Sequence, residues 1–407
     1  MSSPAPAPVL VLVADDLDSS CVEALRAMGL EVALEPRCTA DELPGRIGDA
    51  AILIVRSTKV TRATIEQARR LALIVRAGAG FDTIDVAAAS ERGIFVSNCP
   101  GKNSVAVAEL AMALILALDR RVADATADLR AGRWNKKEYG KAAGLKGRTL
   151  GIAGLGRIGF EVARRARAFE MRVVGWSMPW HEELAREVGV ERCATLHELC
   201  EQSDAVSVHL PQTPETRRLF NADVFARMKR GAIFVNTSRG GIVDEAALAV
   251  AMKERGLRVG LDVFEGEPAG GTGEFRPAIA SAGTFVGTHH IGASTEQAQS
   301  AIAAETVRIC REFVQTGRVP NVVNVEEHAP AECQLVVRHY DKVGVLASVL
   351  GILRNHGANV EDMSNTIFQG ARTAVATIRL TKAPRDEAIA EIAALDGAVI
   401  AVESKAL

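Results

Sequence analysis

The chain has 407 residues, enough for two or three domains. With 48% hydrophobic and 24% charged residues it has the make-up of an ordinary globular chain with sizeable cores. A net charge of −2 and 4% aromatic residues exclude the basic footprint and the stacking platforms of a nucleic-acid binder.

The seven cysteines are scattered, with no C-x-x-C pair, which is the usage of a reducing compartment rather than of a disulfide framework or a zinc site. MSSPAPAPVLVLVADD lacks the basic start and cleavage region of a signal peptide. The longest apolar stretch, VAVAELAMALILAL, is interrupted by Glu109 and too short to cross a bilayer, so it reads as a buried helix or a subunit interface. A cytoplasmic protein with no membrane and no nucleic-acid partner is expected.

From about residue 8 to 100, the apolar runs VLVLVA, AAILIVR, LALIVRA and GIFVSN alternate with helical segments such as SSCVEALRAMG. That alternation predicts a parallel sheet covered by helices on both faces. The pattern resumes from 101 to about 290 around the turn GIAGLGRIGF. There RTLGIA is a strand, and IGFEVARRARAFE repeats apolar residues at helical spacing. Strand, glycine turn and helix together form the phosphate-binding start of a dinucleotide fold. Gly154 permits the tight turn, Gly156 lets the backbone approach a pyrophosphate, and Gly159 lets helix and strand pack closely. The strands MRVVGWS, DAVSVHLP, GAIFVNTS and LRVGLDVF follow. After a polar linker, GRVPNVVNVEEHAPAE, the rhythm changes. CQLVVRHY, VGVLASVLGILRNHG, ANVEDMSNTIF, ARTAVATIRL, RDEAIAEIAAL and GAVIAVES read as βαββαβ, a ferredoxin-like unit with its hairpin across Gln369-Gly370.

In an open α/β sheet, ligands bind beyond the carboxyl ends of the strands. GAIFVNTS ends in Arg239, LRVGLDVF leads through Asp262 to Glu267, and GTFVGTHH ends in His290. An arginine fork can hold a substrate carboxylate in two parallel hydrogen bonds and polarise a keto oxygen. A histidine can give and take the hydroxyl proton, and a glutamate behind it fixes its tautomer. The set suits reduction of a 2-keto acid. Read singly, Arg239 is equally a turn cap, and Glu267 a solvated loop acid. The pair His289-His290 is not read as a metal site, because adjacent residues on an extended chain point to opposite faces and no third ligand is spaced nearby.

These residues lie in a series of stretches, LIVRSTKVT, VRAGAGFDTIDV, GKNSVAVAEL, AGRWNKKEYG, GLKGRTLGIAGLGRIG, VNTSRGGIVDEAAL, LDVFEGEP and HHIGAST. In that order they resemble the D-isomer-specific 2-hydroxyacid dehydrogenase family, and within it the short chains that end in an ACT domain. The resemblance implies an α/β protein with two doubly wound Rossmann-like lobes, one flavodoxin-like and one dinucleotide-binding, and a C-terminal βαββαβ ACT domain. It places the substrate lobe at 1–100 with 291–325, the dinucleotide lobe at 101–290 and the ACT domain at 333–407, with a cleft that closes over substrate.

The same resemblance makes Arg239 the carboxylate-binding arginine, Glu267 the orienting acid and His290 the acid/base. It places Gly154, Gly156, Arg157, Ile158, Gly159, Ser177, Thr237, Arg239, Asp262, His290 and Gly292 around the dinucleotide, with Asp262 at the nicotinamide carboxamide. Arg56, Ser57, Arg76, Asn103 and Lys136 match positions lining a phosphorylated-substrate pocket, and the Ala77 and Gly78 amides would grip the carboxylate. The implied reaction is oxidation of D-3-phosphoglycerate at the start of L-serine synthesis, with glyoxylate or hydroxypyruvate reduction as the alternative. A non-catalytic dinucleotide sensor is the alternative of a different class. The family dimerises through helix 104–118, so a homodimer or homotetramer is implied.

Two stretches depart from the family pattern. Ser177 stands where an acid usually accepts hydrogen bonds from the adenosine ribose, and Met178, Pro179 and Trp180 supply no arginine for a 2′-phosphate. NAD is expected on family habit, with NADP left open. In the C-terminal unit the run Asp341-Lys342-Val343-Gly344-Val345-Leu346 has valine where proline is usual. His339, Asp341 and Asn359 match positions that hold an effector amino acid, expected to be L-serine; the alternative is a dimerisation module with no effector.

Overall fold

The computed structural model describes residues 9–268, 272–326 and 331–407. Five short apolar runs form the first sheet: β1 (Leu10–Val13), β2 (Glu31–Leu34), β3 (Ile52–Val55), β4 (Leu73–Arg76) and β5 (Phe95–Asn98). All pairings are parallel, in the order β2-β1-β3-β4-β5, the flavodoxin-like winding. Every residue of β3 is buried, as a central parallel strand covered on both faces requires. The edge strand β2 is largely exposed and carries no such signal in its sequence, EVAL. Helix Glu296–Thr316 returns to this sheet. Its Ile302, Val307 and Cys310 share one core with Val11, Ile52, Ile54, Leu73 and Val75.

The second sheet holds β6 (Thr149–Ala153), β7 (Arg172–Trp176), β8 (Val190–Arg192), β9 (Ala205–Val208), β10 (Ile233–Asn236), β11 (Arg258–Leu261) and β12 (Phe285–Gly287). It is parallel throughout, in the order β12-β11-β10-β9-β6-β7-β8. The chain runs outward from β6 to β8, then starts again at β9 on the other side of β6. The switch point between β6 and β9 opens the crevice where a ligand binds in such sheets. The apolar helix Ser104–Arg120 spends much of its hydrophobic surface inside this lobe, where Ala111, Leu114, Ile115 and Leu118 pack with Leu150, Val162 and Val235. No helix among the described residues is long and apolar enough to cross a membrane.

Residues 325–407 form a separate compact unit. Its strands β13 (Cys333–Tyr340), β14 (Val360–Ile367), β15 (Thr373–Leu380) and β16 (Val399–Ala406) are antiparallel in the order β14-β15-β13-β16. Helices Val345–Asn355 and Asp386–Ala393 complete the βαββαβ pattern. Burial alternates residue by residue along β15, so one sheet face is the core, where Leu335, Val337, Ile378 and Leu380 meet Val349, Leu353 and Ile392.

Candidate active site

The glycine turn follows β6 directly. Gly154 has φ +97°, and a Cβ there would collide with the His209 carbonyl, so the position needs both the left-handed backbone and the missing side chain. A Cβ on Gly159 would collide with the Gly154 carbonyl, which is how closely the helix lies on the turn. Gly156 differs, because a Cβ there meets nothing within 4 Å. The open face sits at the start of helix Arg157–Ala168, whose first-turn amides have no side-chain cap. After β10, the nearly buried Thr237 has an Oγ1 with no hydrogen-bond partner. An uncapped helix start under an open glycine face, with a waiting hydroxyl on a neighbouring strand end, fits a dinucleotide. Arg157 reaches over to donate to the Pro100 carbonyl at 2.6 Å, Ile158 packs against the lobe core, and Ser177 is half-buried just past β7.

Arg239, Glu267 and His290 come from three strand ends and converge through backbone packing. A Cβ on Gly240 would collide with the Phe264 carbonyl, so the Arg239 turn rests on the loop carrying Glu267. Phe264 N donates to Glu267 Oε1 at 2.7 Å, and Glu267 Oε2 lies 2.7 Å from His290 Nδ1. Burial alone raises the Glu267 carboxyl, but the imidazole, the Phe264 amide and the Arg239 charge together outweigh it and hold the group below the usual carboxylate range. An ionised carboxylate only accepts, so the proton of the pair sits on Nδ1 and leaves Nε2 available. His290 itself has φ +55°, a conformation uncommon outside glycine. The buried Asp262 holds that turn. Its Oδ1 accepts from Thr288 Oγ1 at 2.6 Å and Ile291 N at 2.8 Å, and its Oδ2 from Gly292 N at 2.9 Å.

The first sheet supplies the facing wall. Arg239 Nε donates to Asp82 Oδ2 at 2.6 Å, across 157 residues of sequence. Arg76 lies beside it. Burial first, then the neighbouring Arg239 and, against the pull of Asp82, Arg56, lower the Arg76 guanidinium to about 10. Asp15 accepts from the backbone of Arg56, Ser57 and Thr58 and from Ser57 Oγ, which fixes that loop. A cleft of about 650 Å³ lies between Arg56 and the N-terminus of helix Glu296–Thr316, and Asp16, Asp18, Thr295 and Gln299 also line it. Of the seven buried polar atoms without partners among the described residues, four belong to the strand and helix ends named for the site: Arg76 Nε at the end of β4, Asn103 Oδ1 and Ser104 Oγ at the start of helix Ser104–Arg120, and Thr237 Oγ1 after β10.

One expectation is corrected. Ala77 N already donates to the Val55 carbonyl and Gly78 N to that of Arg76, both at 2.7 Å, so neither amide is available for a carboxylate. The next two amides, Ala79 and Gly80, donate to nothing among the described residues, and a Cβ on Gly80 would strike Arg239 Nη2. Lys136 lies in a segment held by local contacts. It is exposed in the short helix Lys136–Tyr139, whose Glu138 and Tyr139 bond to Arg121 and Asp128. The sequence reading also passes over His209, at the end of β9 beside Gly154, although the strand-end rule that selects Arg239 and Asp262 applies to it. Its ring lies 2.8 Å from Ser207 Oγ, and burial lowers it far below the usual imidazole range, so it is neutral.

In the C-terminal unit, His339 is buried, with Nδ1 2.8 Å from the Tyr340 carbonyl and Nε2 3.1 Å from Asn365 Oδ1. Asn359 donates to Glu361 at 2.6 Å, and the Asp341 amide to the Arg372 carbonyl at 3.0 Å.

The model of the D-isomer specific 2-hydroxyacid dehydrogenase NAD-binding domain matches residues 112–292. A D-3-phosphoglycerate dehydrogenase from Methanocaldococcus jannaschii is 43% identical over 78% of this chain and 60% of its own length. A hydroxypyruvate reductase from Thermotoga maritima is 44% identical over 73% of this chain and 95% of its own. The crystal structure of TT0316 from Thermus thermophilus superposes with a TM-score of 0.70 at 36% identity, covering 77% of this chain and all but a trace, 99%, of that one. The chain spans about 60% of the length of the phosphoglycerate dehydrogenase from M. jannaschii that it matches. On fold, strand-end residues and these relatives, the chain belongs to the D-isomer specific 2-hydroxyacid dehydrogenase family.

Proposed function

We propose that the chain transfers a hydride between a nicotinamide dinucleotide and a D-2-hydroxy acid, oxidising D-3-phosphoglycerate to 3-phosphohydroxypyruvate at the start of L-serine synthesis. The observation that carries this is the 2.7 Å contact between His290 Nδ1 and Glu267, set on the loop against which the Arg239 turn packs. In this reading residues 1–100 with 291–325 are the substrate lobe, 101–290 the dinucleotide lobe and 333–407 a regulatory module.

Gly154, Gly156, Gly159 and Thr237 would hold the dinucleotide, whose nicotinamide takes the hydride from C2 in oxidation and returns it in reduction. Arg239 spends Nε on Asp82 and one Nη1 hydrogen on the Ser238 carbonyl, which fixes the plane of the guanidinium. Its remaining donors, with the Ala79 and Gly80 amides, take the substrate carboxylate. Glu267 keeps the His290 proton on Nδ1, so Nε2 accepts the C2 hydroxyl proton as the carbonyl forms and gives it back in reduction. Arg56 and Arg76 add positive charge where a phosphate would enter, which favours the phosphorylated substrate. The M. jannaschii relative supports the same choice. The T. maritima relative, matched over nearly all its length, supports hydroxypyruvate reduction as the second reading.

The C-terminal unit is proposed to bind an amino acid such as L-serine where two copies meet in a cytoplasmic homodimer or homotetramer. A substrate panel of phosphohydroxypyruvate, hydroxypyruvate and glyoxylate with NADH and NADPH tests the main reading. Turnover is expected, fastest with the phosphorylated acid, and falling about 10²- to 10⁴-fold in His290→Ala while dinucleotide binding persists. A chain that binds dinucleotide but reduces none of the three, or a His290→Ala variant of full activity, overturns it.

A further inference from the structure

The end of β7 is where a dinucleotide fold reads the adenosine ribose. Gly154 N donates to the Trp176 carbonyl at 2.8 Å, which ties the glycine turn to that strand end, and Ser177 is the next residue. On the far side of β7 lies β8, paired so that Gly175 faces Arg192, and Cys193 N donates to the Gly175 carbonyl at 2.8 Å. Arg192 is therefore brought to the same strand end, although 15 residues of sequence separate it from Ser177 and no local motif connects them.

The Arg192 guanidinium lies over the Trp180 ring, 5.5 Å from its centre, and Trp180 is itself held by Nε1 donating to Glu182 at 2.8 Å. Among the described residues no carboxylate pairs with Arg192. Glu191 binds Arg172 at 3.0 Å, Glu198 takes the Ala194 amide at 2.7 Å, and Glu182 is shared between Trp180 and Arg186. The result is an exposed, uncompensated cation whose aromatic seat limits its rotamers, next to a serine where an acid would repel negative charge.

We infer that Arg192, together with Ser177, recognises a ribose 2′-phosphate, so that the chain binds NADP(H) at least as tightly as NAD(H). The inference rests on the reading above that a dinucleotide occupies the β6 turn. A guanidinium fork matches two phosphate oxygens, and the Ser177 hydroxyl donates where a carboxylate would only accept. Glu182, the acid bonded to the Trp180 seat, is already engaged by an indole N–H and a guanidinium.

Direct titration of the purified full chain with NADPH and with NADH, followed by nicotinamide fluorescence, tests it without turnover. The NADPH Kd is expected to equal or fall below that for NADH. Arg192→Ala should lower the NADPH-to-NADH affinity ratio at least about tenfold, the effect of losing one charge-assisted contact, and Arg192→Lys should restore part of it. Ser177→Asp should lower the same ratio. NADH binding tighter than NADPH in the unaltered chain, or a ratio unmoved by Arg192→Ala, overturns the inference and leaves the dehydrogenase reading standing. Failure to bind either dinucleotide overturns both.

Discussion

Asp262 offers the sharpest test of how the site is held. Its two carboxyl oxygens take three hydrogen bonds from the 288–292 turn, two of them from backbone amides, and the residue is 1% exposed. Asp262→Ala leaves the Ile291 and Gly292 amides without partners. At roughly 1–3 kcal/mol for each buried orphan, partly offset by water entering the space, the expected loss is about 3 kcal/mol. In a lobe of this size that lowers Tm by roughly 6–12 °C, read by calorimetry without dinucleotide. The same turn keeps His290 at φ +55°, a strained conformation that persists only while its surroundings impose it. Once released, the backbone relaxes and the imidazole leaves Glu267, so kcat should fall about a hundredfold, the usual consequence of an ångström of misplacement. Asp262→Asn, which can still accept from one side of the turn, should lie between. An Asp262→Ala chain with Tm within about 2 °C of the parent and undiminished kcat refutes the argument, because buried amides would then have lost their partner at no cost.

Gly156→Ala and Gly159→Ala should separate ligand space from packing space. The first is expected to keep the parent Tm and lose dinucleotide affinity in a fluorescence titration, whereas the second lowers both, since its Cβ strikes the Gly154 carbonyl. Glu305 is held at about 2 against an ordinary 4.5, chiefly by hydrogen bonds from Arg308 and then Asn321 against the opposing effect of burial. A carboxyl depressed in this way adds stability that is fully present above pH 4.5 and fades as the pH falls towards 2. Glu305→Gln should therefore be less stable than the parent at neutral pH, with the gap closing in acid denaturation. Millimolar L-serine is expected to lower the turnover of the full chain, and unchanged rates would leave the C-terminal unit a pairing module only.

Much of this architecture is legible from local pattern. A buried parallel strand such as ILIV in β3 must be apolar on both faces, so it announces itself, and the glycine turn carries its own steric logic at Gly154 and Gly159. What stays hidden is set by pairing across the sheets. The edge strand β2 has few buried positions to pattern, and the three-residue β8 is too short to show a period. For the same reason Arg192 cannot be seen as a neighbour of Ser177 until the register of β7 with β8 is known. The Ala77 and Gly78 expectation fails for a different cause. Sequence marks the loop but not which of its amides folding consumes: the Ala77 amide continues the ladder to β3, and the Gly78 amide closes a tight turn on the Arg76 carbonyl.

The unpaired polar atoms make the strongest link between fold and chemistry. Folding places the great majority of buried donors and acceptors in partnerships, because each orphan costs about as much as a lost hydrogen bond. Arg76, the adjacent Asn103 and Ser104, and Thr237 come from three places in the sequence, at the strand and helix ends that carry the site, and each keeps an unmet donor or acceptor. Buried polar atoms that the fold leaves unpaired mark positions where a bound polar molecule would pair with them. The same reasoning applies to Arg76, held beside two other guanidiniums with Asp82 the main group in opposition. Three cations gathered across the facing walls, Arg56 and Arg76 from the first sheet and Arg239 from the second, suit an acid with two anionic groups. On this reasoning a substrate carrying both a carboxylate and a phosphate stabilises the closed lobes more than a carboxylate alone, and the order of KM values across the substrate panel should follow the number of its negative charges.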